Sequence, residues 1–356
     1  MSLRTVQRLR AQFEQGGREA LTPRYGQCGS HQVAATSADI VERIVELRQA
    51  HPRWGSEMIR LELAPQQPMP SARTIRRHLH EAHASAAPPG RPSAIGRPRV
   101  PRAVRPHQGW QVDAAEEIGL KGSGQVCWLR FVDECSGAFL KTVVFGSARW
   151  EHVDRHAIQG HFRQAFAQWG RPGRLRVDNG YPWGSSGDLP PELALWVLGL
   201  GIEMIWNSPG RPQENGVVER SQGTCQNWAE PQTCRTPAEL QQHCDRMDRR
   251  QREEYPYQDG LSRWEVYPEL QHSGQAYSLR WETRHWDLSK PLDVLSQTAV
   301  PRQVDASGSI TCTIARATWG NLTLGPGCTS PWIRRGPPGY SAMNEATSCG
   351  RTRPRN

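Results

Sequence analysis

The chain has no apolar run near the length of a membrane span, which takes about 20 residues, and its first residues, MSLRTVQRLRAQF, are charged throughout. No signal peptide and no membrane contact are expected, so the predicted location is the cytoplasm. Cysteine is present but unpatterned: nine residues without one C-x-x-C pair. That argues against a disulfide scaffold and against a structural zinc site. His78, His80 and His83 cluster on a basic helix, but beside no cysteine. Residues 107–356 also lack any charge excess, with 27 Lys/Arg against 27 Asp/Glu. The whole net charge of +9 therefore sits in residues 1–106, which carry 17 basic against 8 acidic residues. A basic end of this kind attracts a polyanion. What remains is ordinary globular material: 356 residues, 37% hydrophobic, enough for two or three domains.

The basic third reads as helices. Ser2 can cap a helix from Leu3 to Glu14 with Val6, Leu9 and Phe13 on one face, stopped by Gly16-Gly17. Residues 1–30 are read as a partial helix-turn-helix, the last helix of a unit whose earlier helices are missing, and a truncated start is the expectation. Residues 36–83 form a fuller unit. Asp39 caps a helix with Ile44 inward, Gly55–Leu63 is a second, and Ser71 caps a third, ARTIRRHLHEAH. In that last helix Ile75 and Leu79 pack inward, leaving Arg73, Arg76 and Arg77 for phosphates or base edges. Three short helices ending in a basic one is the helix-turn-helix plan. Residues 84–106 alternate Pro and Arg with small residues and read as a basic linker.

Residues 107–270 follow an α/β order. Trp110-Gln-Val-Asp113 opens a strand, Val126–Val132 and Ala138–Phe145 continue a meander, and a helix covers roughly 150–169. Arg174–Val177 is a short strand ending on Asp178-Asn-Gly180. A helix over 190–200 leads to a strand at Ile202–Ile205, then to a Pro/Gly loop and a helix carrying Glu219. Thr236-Pro-Ala-Glu239 starts the last helix with a capping box. A mixed sheet with helices on its faces suits this order. On such a sheet Asp113, Asp178 and Glu219 can converge. Crowded carboxylates repel one another and suit Mg²⁺, a hard cation held by carboxylate oxygens, water and phosphate. Taken singly, an Asp before Asn-Gly is also an ordinary turn residue, and a helical Glu is also an ordinary solvated one.

In combination, Trp110-Gln-Val-Asp113, Val132-Asp-Glu-Cys-Ser136, Arg176-Val-Asp-Asn-Gly180 and Pro209-Gly-Arg-Pro-Gln-Glu-Asn-Gly-Val-Val-Glu-Arg220 resemble the integrase-core DDE transposases of bacterial insertion sequences, relatives of retroviral integrases. The resemblance covers roughly 40–270. It implies a ribonuclease-H-like catalytic core and a triad of Asp113, Asp178 and Glu219, which are also the metal ligands. It implies two Mg²⁺ ions, with Mn²⁺ able to substitute, and metal-dependent DNA strand cleavage and transfer. The partners would be double-stranded DNA, both element ends and target, bound by a homo-oligomer at the nucleoid. Asn215 and Arg220 flank the Glu and are read either as contacts to a DNA end or as helix entry and surface charge.

The family often spaces its second Asp and its Glu by about 35 residues, a count that here selects Glu214. Glu219 is preferred because it occupies the family's position after Asn-Gly-x-x and lies inside the helix, so Glu214 is the named rival. Asp133, between a strand and a turn, suits a structural role. Most of the 14 tryptophans read as core, with Trp183 and Trp206 the candidates for base stacking. Residues 280–320 read as a small β-rich domain whose stretch Arg302–Ile310 resembles the family's hairpin, and 321–356 as an irregular tail. Together with the abrupt start, the tail leads to the expectation of an eroded or frameshifted copy, for which a neighbouring shifted frame would be the sign. The alternative function is a non-catalytic DNA-binding remnant or regulator. A nuclease acting on RNA–DNA hybrids would share the fold but leave the N-terminal helices without purpose.

Overall fold

The computed structural model describes residues 3–21, 36–82, 84, 101–122, 124–184, 189–208 and 211–297. It divides into two compact units, Met1–Pro88 and Pro89–Asn356. Among the described residues no helix is long and apolar enough to cross a membrane.

The first unit is helical. Helix α1 (Leu3–Ala20) breaks at Gly16 and Gly17, where the backbone leaves helical angles, and then resumes to Ala20. Its Val6 and Phe13 are exposed. Helices α2 (Ala38–Ala50), α3 (Ser56–Leu63) and α4 (Ala72–Glu81) bury Ile44, Met58, Ile59, Leu63, Ile75 and Leu79. The N-cap of α2 is Ser37, two residues before the expected Asp39. Ser71 caps α4 as expected, its Oγ accepting the Thr74 N–H at 3.2 Å. With Ile75 and Leu79 buried, Arg73, Arg76 and Arg77 are left exposed.

The second unit is built on a five-stranded sheet of order β3-β2-β1-β4-β5. Strands β1 (Gly109–Gly119), β2 (Gln125–Asp133) and β3 (Phe139–Phe145) form the antiparallel meander. Strands β4 (Arg174–Val177) and β5 (Glu203–Trp206) run parallel to β1. Side chains alternate across a strand, and here the alternation sorts two cores. Trp110 and Val112 of β1, with Cys127, Leu129 and Phe131 of β2, face the large core with helices α5 (Arg155–Trp169) and α6 (Glu192–Gly199). Phe131 and Phe162 meet there edge to face at 4.7 Å. Burying each such ring stabilises by roughly 2–3 kcal/mol.

The opposite face carries Val126, Trp128 and Val132 of β2 and receives helix α7 (Gly216–Ala229) and helix α8 (Pro237–Glu253). On this face Gln111 and Asp113 of β1 stand one pleat apart. Arg130 of β2 is fully buried here and donates to Ser221 Oγ of α7 at 3.1 Å and Thr142 Oγ1 of β3 at 2.6 Å. This is the ribonuclease-H-like arrangement expected from the sequence.

Strand β3 is an edge, and an unpaired edge invites association with other strands. Two glutamines of α8 cover it. Gln241 accepts from the Val144 N–H and donates to the Thr142 carbonyl, both at 2.7 Å. Gln251 accepts from the Phe139 N–H at 3.0 Å and donates to the Gly137 carbonyl at 2.9 Å. Each carboxamide thus plays the part of a neighbouring peptide unit.

The sequence reading of a β-rich segment from 280 is corrected over its first part. Helix α9 (Arg263–Val266) is followed by α10 (Leu279–His285) and α11 (Ser289–Ser296). Ser278 caps α10 by accepting the Trp281 N–H, and Trp281 stacks on His285 one turn on at 4.7 Å. The remainder of the 280–320 segment, its Arg302–Ile310 hairpin and the 321–356 tail lie outside the described residues. So do residues 22–30 of the first helix-turn-helix segment and most of the 84–106 linker. The linker's last residues, 101–106, belong to the second unit.

Candidate active site

Asp113 lies within β1 and not at its end, since the strand runs on through a bulge between Ala115 and Ile118. Its pairing with β4 has already stopped at Gln111, so its side chain meets α7 on an open stretch. Asp178 follows the last residue of β4. A β-carbon at position 180 would stand 2.9 Å from Asp178 Oδ2, so only glycine leaves this carboxylate its place. Asn179 clamps the neighbouring loop, its Nδ2 donating to the Asn207 carbonyl at 2.7 Å. Glu219 lies in the first turn of α7 and is exposed.

Asp113 is the most perturbed of the three acids. Burial pushes the Asp113 carboxyl up to about 6; the Gln222 hydrogen bond opposes this, and the charges of Asp178 and Glu219 add to it. Burial also raises Asp178, against an opposing hydrogen bond from the Gly180 backbone. Burial raises Glu219, which the positive charge of Arg102 partly offsets. Like charges held together in this way favour a cation. All three donors are hard carboxylate oxygens, which suits a Mg²⁺ site. Among the described residues, no three His, Cys, Asp or Glu side chains approach one point closely enough to hold one ion as placed. The donor chemistry of the three acids fits the metal.

Gln222 is a site residue the sequence reading did not find. It sits one turn beyond Glu219 on α7, and its Nε2 lies 3.3 Å from both the Asp113 carbonyl and Oδ2. Its own orientation is fixed by the Trp128 indole, which donates to Oε1 at 2.6 Å. No local pattern marks it, because its partner lies 109 residues away.

Glu214 is engaged elsewhere. It is 9% exposed and accepts the Ser208 N–H at 2.7 Å. That bond holds its carboxyl below the usual range. Asn215 is 4% exposed at the helix entrance, with its Oδ1 unpartnered, whereas Arg220 is exposed. Asp133 has the structural role its position implies, accepting from the His107 and Ser136 N–H groups and from the Ser136 hydroxyl. The expectation that Trp183 stacks on bases is corrected. It is 2% exposed and packs edge-on against Phe162, while Trp206 donates its indole N–H to the Trp183 carbonyl. His78 bonds Thr36 Oγ1 at 3.2 Å and joins no metal-holding cluster among the described residues.

A sequence profile described as a homeodomain-like domain matches residues 5–79, running across both N-terminal segments. The Intracisternal A-particle Pol-related polyprotein of mouse intracisternal A-particle MIA14 is 28% identical over 144 residues, 40% of this chain. The match spans only 15% of that polyprotein. Among solved structures, the HTLV-2 integrase catalytic core domain in complex with magnesium aligns at 20% identity over 48% of this chain and all of its own, with a TM-score of 0.36. The simian T-cell lymphotropic virus intasome in complex with PP2A regulatory subunit B56 gamma aligns at 18% identity over 66% of this chain and 76% of that one, with a TM-score of 0.39. Scores this low add nothing to the sheet order and the residues themselves. The chain thus combines a homeodomain-like match over residues 5–79, a match to a Pol-related polyprotein over 144 residues and a ribonuclease-H-like sheet.

Proposed function

We propose that this chain is a DDE transposase that binds the terminal repeats of a mobile element, cuts at their ends and joins them to target DNA. The observation that supports the reading is that the three acids stand on neighbouring elements: Asp113 on β1, Asp178 just after its parallel partner β4, and Glu219 one turn before Gln222, whose side chain reaches the Asp113 carboxylate at 3.3 Å. Asp113, Asp178 and Glu219 would hold two Mg²⁺ ions, or Mn²⁺ in their place. Such ions supply activation of an attacking hydroxyl and stabilisation of the leaving oxygen of a phosphodiester. Gln222 keeps the Asp113 carboxylate turned to the α7 side, and Gly180 leaves room for Asp178. Arg73, Arg76 and Arg77, exposed on α4, would contact the duplex, with Arg220 touching the DNA end. Asn215 is the weakest of the expected DNA contacts because it is buried. Two ends have to be joined together, which calls for a homo-oligomer on the DNA, working at the nucleoid.

A second reading is a DNA-binding protein without catalysis, for which the homeodomain-like match and the exposed arginines of α4 would suffice. One assay separates the two: full-length protein, labelled duplex carrying the element's own ends, and Mg²⁺ or Mn²⁺. Nicked and joined products that disappear in Asp178→Asn are the result expected of the transposase. Binding without either product supports the second reading.

A further inference from the structure

The three acids stand on three different elements, yet one buried carboxylate touches the chain just behind two of them and reaches the third through Gln111 and Arg102. Glu134, at the turn after β2, has a side chain only 1% exposed. Arg176 of β4 reaches it at 3.0 Å, two residues before Asp178 and on the same strand face. Gln111 of β1 donates to it at 3.0 Å, two residues before Asp113 and again on the same face. Arg174 adds a third partner at 3.1 Å. Gly109 makes the approach possible, because a β-carbon there would fall 2.9 Å from Glu134 Oε2.

The link to Glu219 runs through the mouth of α7. A helix start leaves its first N–H groups without partners. Gln111 takes two of them, its Oε1 accepting from Val217 N–H at 3.1 Å and Val218 N–H at 3.0 Å. Arg102 takes the carbonyls just before the helix, donating to Gln213 and Glu214 at 2.8 Å each. Its guanidinium also lies 3.4 Å from Glu134. Both side chains that hold the helix entrance therefore end on the same carboxylate.

We propose that Glu134 is a positioning hub: through Arg176, Gln111 and Arg102 it sets Asp178, Asp113 and the Glu219 helix in mutual register. The inference rests on the three acids being the reactive site. Glu134 touches no DNA and no reacting atom. Its part is to keep three elements from sliding against one another, and displacements near 1 Å cost about a hundredfold in rate at such sites.

The test uses the full-length protein with supercoiled plasmid and Mn²⁺, comparing wild type, Glu134→Gln, Arg102→Gln and Arg102→Lys. Arg102 is the safer position, being 30% exposed. The nicking rate at saturating DNA should fall by about tenfold to a hundredfold in Glu134→Gln and Arg102→Gln. The DNA concentration for half-saturation should stay unchanged, and Arg102→Lys should recover part of the rate. Amide exchange at Val217 and Val218 should quicken in Glu134→Gln and in Arg102→Gln. A folded Glu134→Gln protein that nicks at the wild-type saturated rate overturns the proposal. Unchanged exchange at Val217 and Val218 overturns it too, even if the wild-type protein does not cleave. A wild-type protein that fails to nick at all sinks the reading of the site, and the hub's catalytic role with it.

Discussion

Glu214 and Glu219 lie on either side of a helix entrance and do different work. Glu214 is bonded into the loop through the Ser208 N–H, while Glu219 sends its charge toward Asp113. Glu219→Gln should therefore lower the saturated cleavage rate by about a hundredfold to a thousandfold, the cost of losing several kcal/mol of stabilisation. Glu214→Gln loosens the loop and should cost less than about tenfold in the same nicking assay. The acids proposed for the site were singled out in the sequence because each sits in a short motif. Gln222 was not, nor the Gln111 and Glu134 pairings, because their partners lie far along the chain; Glu134 meets Arg176 across 42 residues. A second prediction belongs to His107. Burial holds its imidazole below the usual range. Its Nε2 donates to the Leu270 carbonyl and its Nδ1 accepts from the Trp110 indole, both at 3.0 Å, so protonation would set two donors facing each other. The folded state then binds fewer protons than the unfolded chain, and this contribution is present above pH ~6.5 and lost as the pH falls through the folded value. Urea unfolding at about pH 7 and about pH 5 should show a smaller drop in His107→Gln than in wild type.

At the level of elements, the order of strands and helices was readable, because the apolar run of β2 and the helical spacing in α5 are local signals. Which face each residue takes was readable only once the sheet order was known. The helical turns at 279–296 were missed: both helices are short, and α10 rests on one serine cap and one Trp–His stack more than on any long apolar period. The capping of the β3 edge was equally invisible, because Gln241 and Gln251 look like solvated helix residues until α8 is laid along the strand. Replacing either by leucine strands one N–H and one C=O of the edge. Each change should cost about 1–3 kcal/mol in urea unfolding. Both together should also leave an edge open to self-association, visible by light scattering as concentration rises.

Along the whole chain the basic excess, confined to residues 1–106, precedes Asp113, Asp178 and Glu219. DNA affinity should accordingly fall steeply with salt. Replacing Arg73, Arg76 and Arg77 by alanine should flatten the dependence of log affinity on log salt by about 1 for each phosphate no longer neutralised. An unchanged slope would move the DNA-binding face away from α4. The most direct measurement of the site itself is Mn²⁺ binding, followed by electron paramagnetic resonance of the free ion. Wild type and Glu214→Gln should bind Mn²⁺ alike. Asp113→Asn, Asp178→Asn and Glu219→Gln should each weaken binding by at least about tenfold. Mn²⁺ binding undiminished in those three variants, or abolished in Glu214→Gln alone, would contradict a metal site built from Asp113, Asp178 and Glu219.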